Sequence, residues 1–218
     1  MAADIYLPLI ELWQHIQRSP TRVSRNYRVQ WQQLQQNLPA YFYAVRKRFN
    51  CEKNPLDLNF LMRTCVNGIV RFNGAEEFNN SFHLSRPGMN PDRFDDIVHH
   101  WSQRIAAVQF LCADYTQIVD QAGREDFVYF DPPYAGNKQR YTADLDLARF
   151  FSKLETLNQR GVRWALSFDG LRGGRDLTHP VPKSLYRRSV SLDSGNSAVN
   201  KVLNGPVEMV SEMLYLNY

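Results

Sequence analysis

Residues 127–134 read Phe-Val-Tyr-Phe-Asp-Pro-Pro-Tyr, a short apolar run closed by a carboxylate, two prolines and an aromatic ring. The run predicts a strand that is apolar on both faces, as in the core of a parallel sheet. Proline lacks an N–H and fixes φ, so the strand has to stop at Asp131. In an open α/β sheet, ligands bind beyond the carboxyl ends of the strands, which is where Asp131 and Tyr134 then fall. Pro132 and Pro133 offer carbonyls and no N–H. With Asp131 they form a stretch that accepts hydrogen bonds and donates none. Such a stretch suits a ligand carrying an amino group, and Tyr134 adds a flat face for stacking. A flipped nucleobase with an exocyclic amine meets all three conditions. The competing reading is a Pro-Pro turn that merely ends a strand.

The first half of the chain is read as helical. Ile5, Leu9, Leu12, Trp13 and Ile16 recur at helical spacing over residues 5–17, with Pro8 confined to the first turn. Residues 26–38, 40–49 and 56–66 predict three more helices, and Pro91 opens a long amphipathic one through Phe94, Ile97, Trp101 and Ile105. Between them, residues 68–74 switch to short extended or loop structure and 75–90 read as loop. The aromatic run Tyr41-Phe42-Tyr43 fits core packing better than base stacking. After residue 106 the pattern changes to a buried strand at 108–112, the 127–130 strand, a helix over 144–159 stopped by Gly161, and a strand over 162–167. Residues 170–183 read as loop, and two last strands, near 184–192 and 207–217, flank a turn at 193–196.

Of the 218 residues, 44% are hydrophobic and 22% charged, which suits a globular domain with a real core. No apolar run approaches the roughly 20 residues of a membrane span. Cys51, Cys65 and Cys112 are odd in number and far apart, with neither metal-ligand nor disulfide spacing, which fits free thiols in a reducing cytoplasm. His99 and His100 are adjacent on a helix and face different ways, so they do not share a metal. The formal net charge is +4, yet the first 54 residues alone carry eight basic groups against three acidic ones. Arg18, Arg22, Arg25, Arg28, Arg46, Lys47, Arg48 and Lys53 either neutralise phosphates or form a solvated helix surface.

The segment 127–134 resembles the catalytic motif of amino-group methyltransferases that use S-adenosylmethionine, and its first residue, Asp131, resembles the adenine-N6 branch. The likeness runs on. Residues 2–16 (AADIYLPLIELWQHI) are similar to the family segment whose acidic residue holds the cofactor ribose, a role that falls on Asp4. Residues 67–82 (NGIVRFNGAEEFNNSF) resemble the Dam-type segment, covering Arg71, Asn73 and Asn79. Arg187 and Arg188, a Gly-Asn turn and the last strand are similar to the family's DNA-contacting C-terminal hairpin. Asp114 resembles an acidic position near the cofactor adenine, although an Asp capping a loop would look the same.

The resemblance implies a DNA adenine-N6 methyltransferase of α/β class. It has a Rossmann-like sheet incomplete at the N-terminus, with residues 1–18 and 106–218 catalytic. Residues 19–105 are a helical target-recognition insertion, and a C-terminal β-hairpin closes the chain. Asp131, Pro132, Pro133 and Tyr134 are then catalytic. Asp4, Asp114 and Asp131 face S-adenosylmethionine, and Arg71, Asn73, Asn79, Arg187 and Arg188 face duplex DNA. Without coordinates, fold-holding or phosphate roles fit Arg71 and Asn73 equally. One departure stands out. Family members begin with a strand ending in a Phe-x-Gly-Gly-Gly loop around the methionine part of the cofactor, whereas this chain opens at the second strand. Gly170-Leu171-Arg172-Gly173-Gly174, after the catalytic strand, is no substitute. The expectation is weak cofactor binding by the isolated chain, with a partner chain or self-association replacing the segment. The alternative is a degenerate or split DNA-binding relative.

Overall fold

The computed structural model describes residues 1–132, 145–168, 171–172, 175–176, 180–196 and 209–218. It divides into two compact units, Met1–Tyr115 and Thr116–Tyr218, so residues 1–18 and 19–105 fall in the same unit.

In the first unit, β1 (Ala2–Asp4) leads into α1 (Leu7–Arg18), α2 (Pro20–Gln36), α3 (Ala40–Glu52), α4 (Pro55–Thr64) and α5 (Pro91–Arg104), and the chain returns in β2 (Phe110–Cys112). Proline stands in the first turn of α1, α2, α4 and α5, where its missing N–H costs nothing. Asn54 caps α4 by accepting from the Leu56 N–H, and Asn90 caps α5 by accepting from Asp92 and Arg93. The expected 26–38 helix therefore starts six residues earlier, at Pro20. Val23, Tyr27, Gln30 and Leu34 line the inward side of α2, and Phe42, Val45 and Phe49 that of α3. Phe42 of the aromatic run is core, as expected, while Tyr43 is exposed. On α5 the buried side chains are Pro91, Phe94 and Val98, and Trp101 is exposed, edge-on to Trp13 at 5.9 Å.

Residues 69–90 carry no regular element beyond the bridges Phe72–Phe78 and Cys65–Phe82, whose phenylalanines are all buried. Gly88 closes this segment at φ +99°, and a Cβ there would lie 3.0 Å from the Tyr27 hydroxyl and 3.0 Å from Thr64 Cγ2. Only glycine satisfies both the dihedral and the space. β1 and β2 pair in parallel, Asp4 opposite Cys112. β2 is short and half open to solvent, where a buried strand was expected.

In the second unit, α6 (Tyr115–Gln121) precedes β3 (Phe127–Phe130), α7 (Leu147–Arg160), β4 (Arg163–Phe168), β5 (Leu171–Arg172), β6 (Arg175–Asp176), β7 (Arg188–Asn196) and β8 (Met209–Leu216). The β3–α7–β4 stretch is a parallel crossover unit, with Phe127 opposite Arg163 and Phe130 opposite Leu166. β4 and β7 flank β8, both antiparallel to it. α7 begins under the Asp146 side chain and ends at Gly161 with φ +71°, the stop read from sequence. It packs on the face of Val128 and Phe130, where Phe130 meets Phe150 edge-on at 5.4 Å.

Two expectations change here. The 127–130 strand is not buried on both faces: among the described residues it borders β4 alone, and Phe127 and Tyr129 are 51% and 58% exposed. The turn expected at 193–196 is strand instead. β7 runs through to Asn196 with a register shift between Asp193 and Gly195, and the connection to β8 lies outside the described residues. Among the described residues no helix is long and apolar enough to cross a membrane.

Candidate active site

Asp131 follows the last residue of β3, at the carboxyl end of the parallel pair β3–β4. Alternation along the strand sets it on the face of Phe127 and Tyr129, away from α7. Carried one residue further, the register sets it beside Ser167. Burial, and then the nearby Glu212 carboxylate, push the Asp131 carboxyl above its usual value. The side chain still reaches solvent. A carboxylate that is partly stripped of water and repelled by a neighbour is a strong acceptor for any N–H that arrives. Pro132 follows, half-buried, with no N–H of its own. Pro133 and Tyr134 lie outside the described residues.

Asp4 and Asp114 belong to the first unit and come together there. Asp4 ends β1, and its carbonyl accepts from the Ala113 N–H at 3.1 Å, so Asp114 leaves β2 at the same end of the small sheet. Asp4 Oδ1 accepts the Tyr6 N–H at 2.7 Å, which turns the chain into α1. Oδ2 has no hydrogen-bond partner among the described residues. Ile5, the next residue, holds its apolar side chain out in solvent, half exposed. A solvated carboxylate, an exposed aliphatic side chain and a second acid at one sheet end fit the diol and the flat base of a nucleoside.

The segment 71–79 is a tight turn built by its own side chains. Asn73 Oδ1 accepts from the Ala75 N–H at 2.9 Å and from the Glu77 N–H at 3.0 Å, and its Nδ2 donates to Glu77 Oε2. Asn73 thus spends its carboxamide on the turn. Arg71 and Asn79 face each other across it through the bond from Asn79 N–H to the Arg71 carbonyl, and both side chains are exposed. Asn50 and Asn80 anchor this turn from beneath, and the sequence reading missed both. Asn50 bonds the Phe78 N–H and carbonyl; buried Asn80 donates to the carbonyls of Val66 and Ile69. Asparagines at separations of 28, 14 and 11 residues leave no local spacing that could have flagged them.

The model of the D12 class N6 adenine-specific DNA methyltransferases matches residues 1–169. The chain belongs to this family. The match takes in Asp4, the 71–79 turn, Asp114 and Asp131. The chain is 33% identical over 147 residues to Type II methyltransferase M.MjaIII of Methanocaldococcus jannaschii, covering 58% of this chain and 49% of that one. It is 31% identical over 107 residues to a DNA adenine methylase of Haemophilus influenzae, covering 47% and 36%. To a DNA N-6-adenine-methyltransferase of Escherichia phage P1 it is 29% identical over 174 residues, 71% and 22% of the two chains. The chain therefore spans half or less of the length of these relatives.

Beyond the matched residues, the D12 chain continues into β7 and β8. Arg187 and Arg188 are exposed at the start of β7, with the Arg188 guanidinium 5.5 Å from the centre of the Tyr218 ring. Behind them a three-residue amide network ties the helix to the sheet. Asn158 Oδ1 accepts from Trp164 Nε1 and from Asn217 Nδ2, both at 2.8 Å, and Asn217 Oδ1 accepts the Trp164 N–H at 2.7 Å. The three residues lie on α7, on β4 and just after β8, with Asn217 far from the other two in sequence, which is why the sequence reading passed over both asparagines.

Proposed function

We propose that this chain methylates the N6 amino group of a flipped adenine in duplex DNA, with S-adenosylmethionine as methyl donor. The observation that carries the reading is Asp131-Pro132 at the carboxyl end of β3, an acceptor pair behind a carboxylate of raised proton affinity, in a member of the D12 family. The Asp131 carboxylate and the Pro132 carbonyl accept the two N6–H bonds. That draws the nitrogen lone pair out of conjugation with the ring and toward the methyl group. Tyr134 and Pro133 extend this motif, with Tyr134 stacking on the base. The rest of the rate enhancement is positioning and electrostatics.

When bound, the cofactor supplies an electrophilic methyl on a sulfonium. Asp4 would hold the ribose hydroxyls through Oδ2, Ile5 would back the adenine, and Asp114 would sit at its edge. In the same reading, residues 1–18 and 106–218 form the catalytic, Rossmann-like part. Residues 19–105 form the target-recognition part, with Arg71 and Asn79 on the DNA and Asn73 shaping the turn that presents them. Arg187 and Arg188 grip the phosphates.

An acceptor panel tests this: duplex DNA, RNA and protein, each with methyl-labelled S-adenosylmethionine. Label in duplex DNA alone is the expected result. Label confined to RNA or protein would overturn it.

A further inference from the structure

The eight basic residues of the first 54 are one undifferentiated cluster in sequence, and the structure sorts them. Arg28 is tied to Asp92 at 2.6 Å and Arg48 to Asp57 at 2.6 Å. Arg46 lies over the Tyr43 ring and donates to the Asn80 carbonyl, and Lys53 lies over the Phe49 ring and donates to the Glu76 carbonyl. Those four cations are consumed by the fold. Arg18, Arg22, Arg25 and Lys47 are exposed, with no ion pair among the described residues.

The first three of the free cations gather at one place. Arg22 and Arg25 stand on the outer face of α2, and Arg18 ends α1 just before it. The stripe continues at helical spacing through Val29, Gln32, Gln33 and Gln36, all exposed. It spans about 21 Å at 1.5 Å per residue. α2 contains no acidic residue. On the neighbouring α5, Asp92 is taken by Arg28 and Asp95 by His99, and Asp96 is exposed. Glu11 is the acid near the start of the stripe. Burial first, and then Arg22 and Arg18, hold His15 below its usual value against the opposing pull of Glu11.

We infer that the outer face of α2 is a contact surface for the sugar–phosphate backbone of duplex DNA, with Arg22 and Arg25 on phosphates and Gln32, Gln33 and Gln36 donating beside them. This rests on the proposed DNA substrate and names a helix that binds it. Charge selects the partner. A row of unpaired arginines followed by neutral amide donors, with no carboxylate on the helix, matches a regular line of anions. Val29 sits in the row as a surface that a backbone can pass over without losing a polar partner.

The test is fluorescence anisotropy of the whole chain with a labelled 20-base-pair duplex across a salt series. Arg22→Gln and Arg25→Gln together should weaken binding about tenfold, and lower the slope of log affinity against log salt by about two, since each phosphate contributes close to one. Lys47→Gln removes a free cation on another helix and should change affinity by less than about twofold. Both changes are at exposed side chains without partners, so the far-ultraviolet circular dichroism should not move. If the double variant keeps the parent's affinity and slope, α2 is not a DNA contact. If Lys47→Gln weakens binding as much as the Arg22→Gln, Arg25→Gln double variant does, attraction is diffuse and the assignment to α2 fails. If the parent chain binds no duplex at all, the DNA reading itself is wrong, and the α2 surface falls with it.

Discussion

Burial, and after it the carboxylate of Glu212 on β8, raises the proton affinity of Asp131 at the end of β3. Two acids near the carboxyl end of one parallel pair repel each other, on top of the larger effect of burial. The consequence for a residue that must accept hydrogen bonds as a carboxylate is direct. As pH falls, Asp131 protonates earlier than an ordinary aspartate and stops accepting from N6. Methyl transfer should therefore fall on the acid side above the range of a free Asp. Glu212→Gln removes the repulsion and should shift that acid limb to lower pH, without changing the plateau by more than about threefold. A pH–rate profile of the two proteins checks the direction. An acid limb that stays in place would remove Glu212 from the account.

The same shift has a sign for stability. A carboxyl whose folded value lies above its unfolded one favours the folded state when protonated. That contribution is present below the unfolded value of 3.8 and is lost as pH rises through the raised folded one. At neutral pH the fold carries an ionised Asp131 against its preference. Asp131→Asn should then melt at the same temperature as the parent or slightly higher at pH 7, while transfer is lost. A clearly lower melting temperature would mean that Asp131 supports the fold.

Asp57 is 4% exposed and accepts from Arg48 Nε at 2.7 Å, from Arg48 Nη2 at 2.6 Å and from Gln30 at 3.2 Å. The Arg48 guanidinium is held firmly charged by this pair. Asp57→Ala leaves the guanidinium without its carboxylate and the buried Gln30 carboxamide with the Asn26 side chain as its remaining acceptor. Because Arg48 is partly in water, the loss should be about 2 kcal/mol rather than the larger cost of a fully buried charge. Urea unfolding measures it, and a loss below about 0.5 kcal/mol would show the pair to be ornamental.

Asn217→Ala should be nearly as costly for the second unit. It strips the Trp164 N–H of its acceptor and the Val162 carbonyl of a donor. Leaving such half-buried groups unmet costs about 1–3 kcal/mol. Trp164 is fully buried, so its fluorescence reports the unfolding.

How much of this was legible beforehand differs by element. Local signals sufficed for α5, because proline and the Asn90 cap fix its start, and for α7, because Gly161 fixes its end. They sufficed for the β3–Asp131 junction as well, since two prolines leave a strand nowhere to go. Composition misled where pairing decides. Eight basic residues read as one face, yet Arg28 and Arg48 find their acids 64 and 9 residues away. β3 looked like an interior strand because Phe127 and Tyr129 are apolar, but apolar character does not say how many neighbours a strand has. Arg71 and Asn73 looked alike, and only the turn geometry shows the Asn73 carboxamide facing its own backbone.

The most direct measurement is the nucleoside product of the reaction and its dependence on one carboxylate. A mixed-sequence duplex is incubated with the chain and labelled S-adenosylmethionine, digested to nucleosides and resolved. The account predicts label in N6-methyladenine for the parent chain, and a loss of more than about tenfold in rate for Asp131→Ala, equivalent to at least about 1.4 kcal/mol of transition-state stabilisation, with duplex affinity unchanged. Label in a cytosine product, or an Asp131→Ala chain that stays within tenfold of the parent, would contradict it.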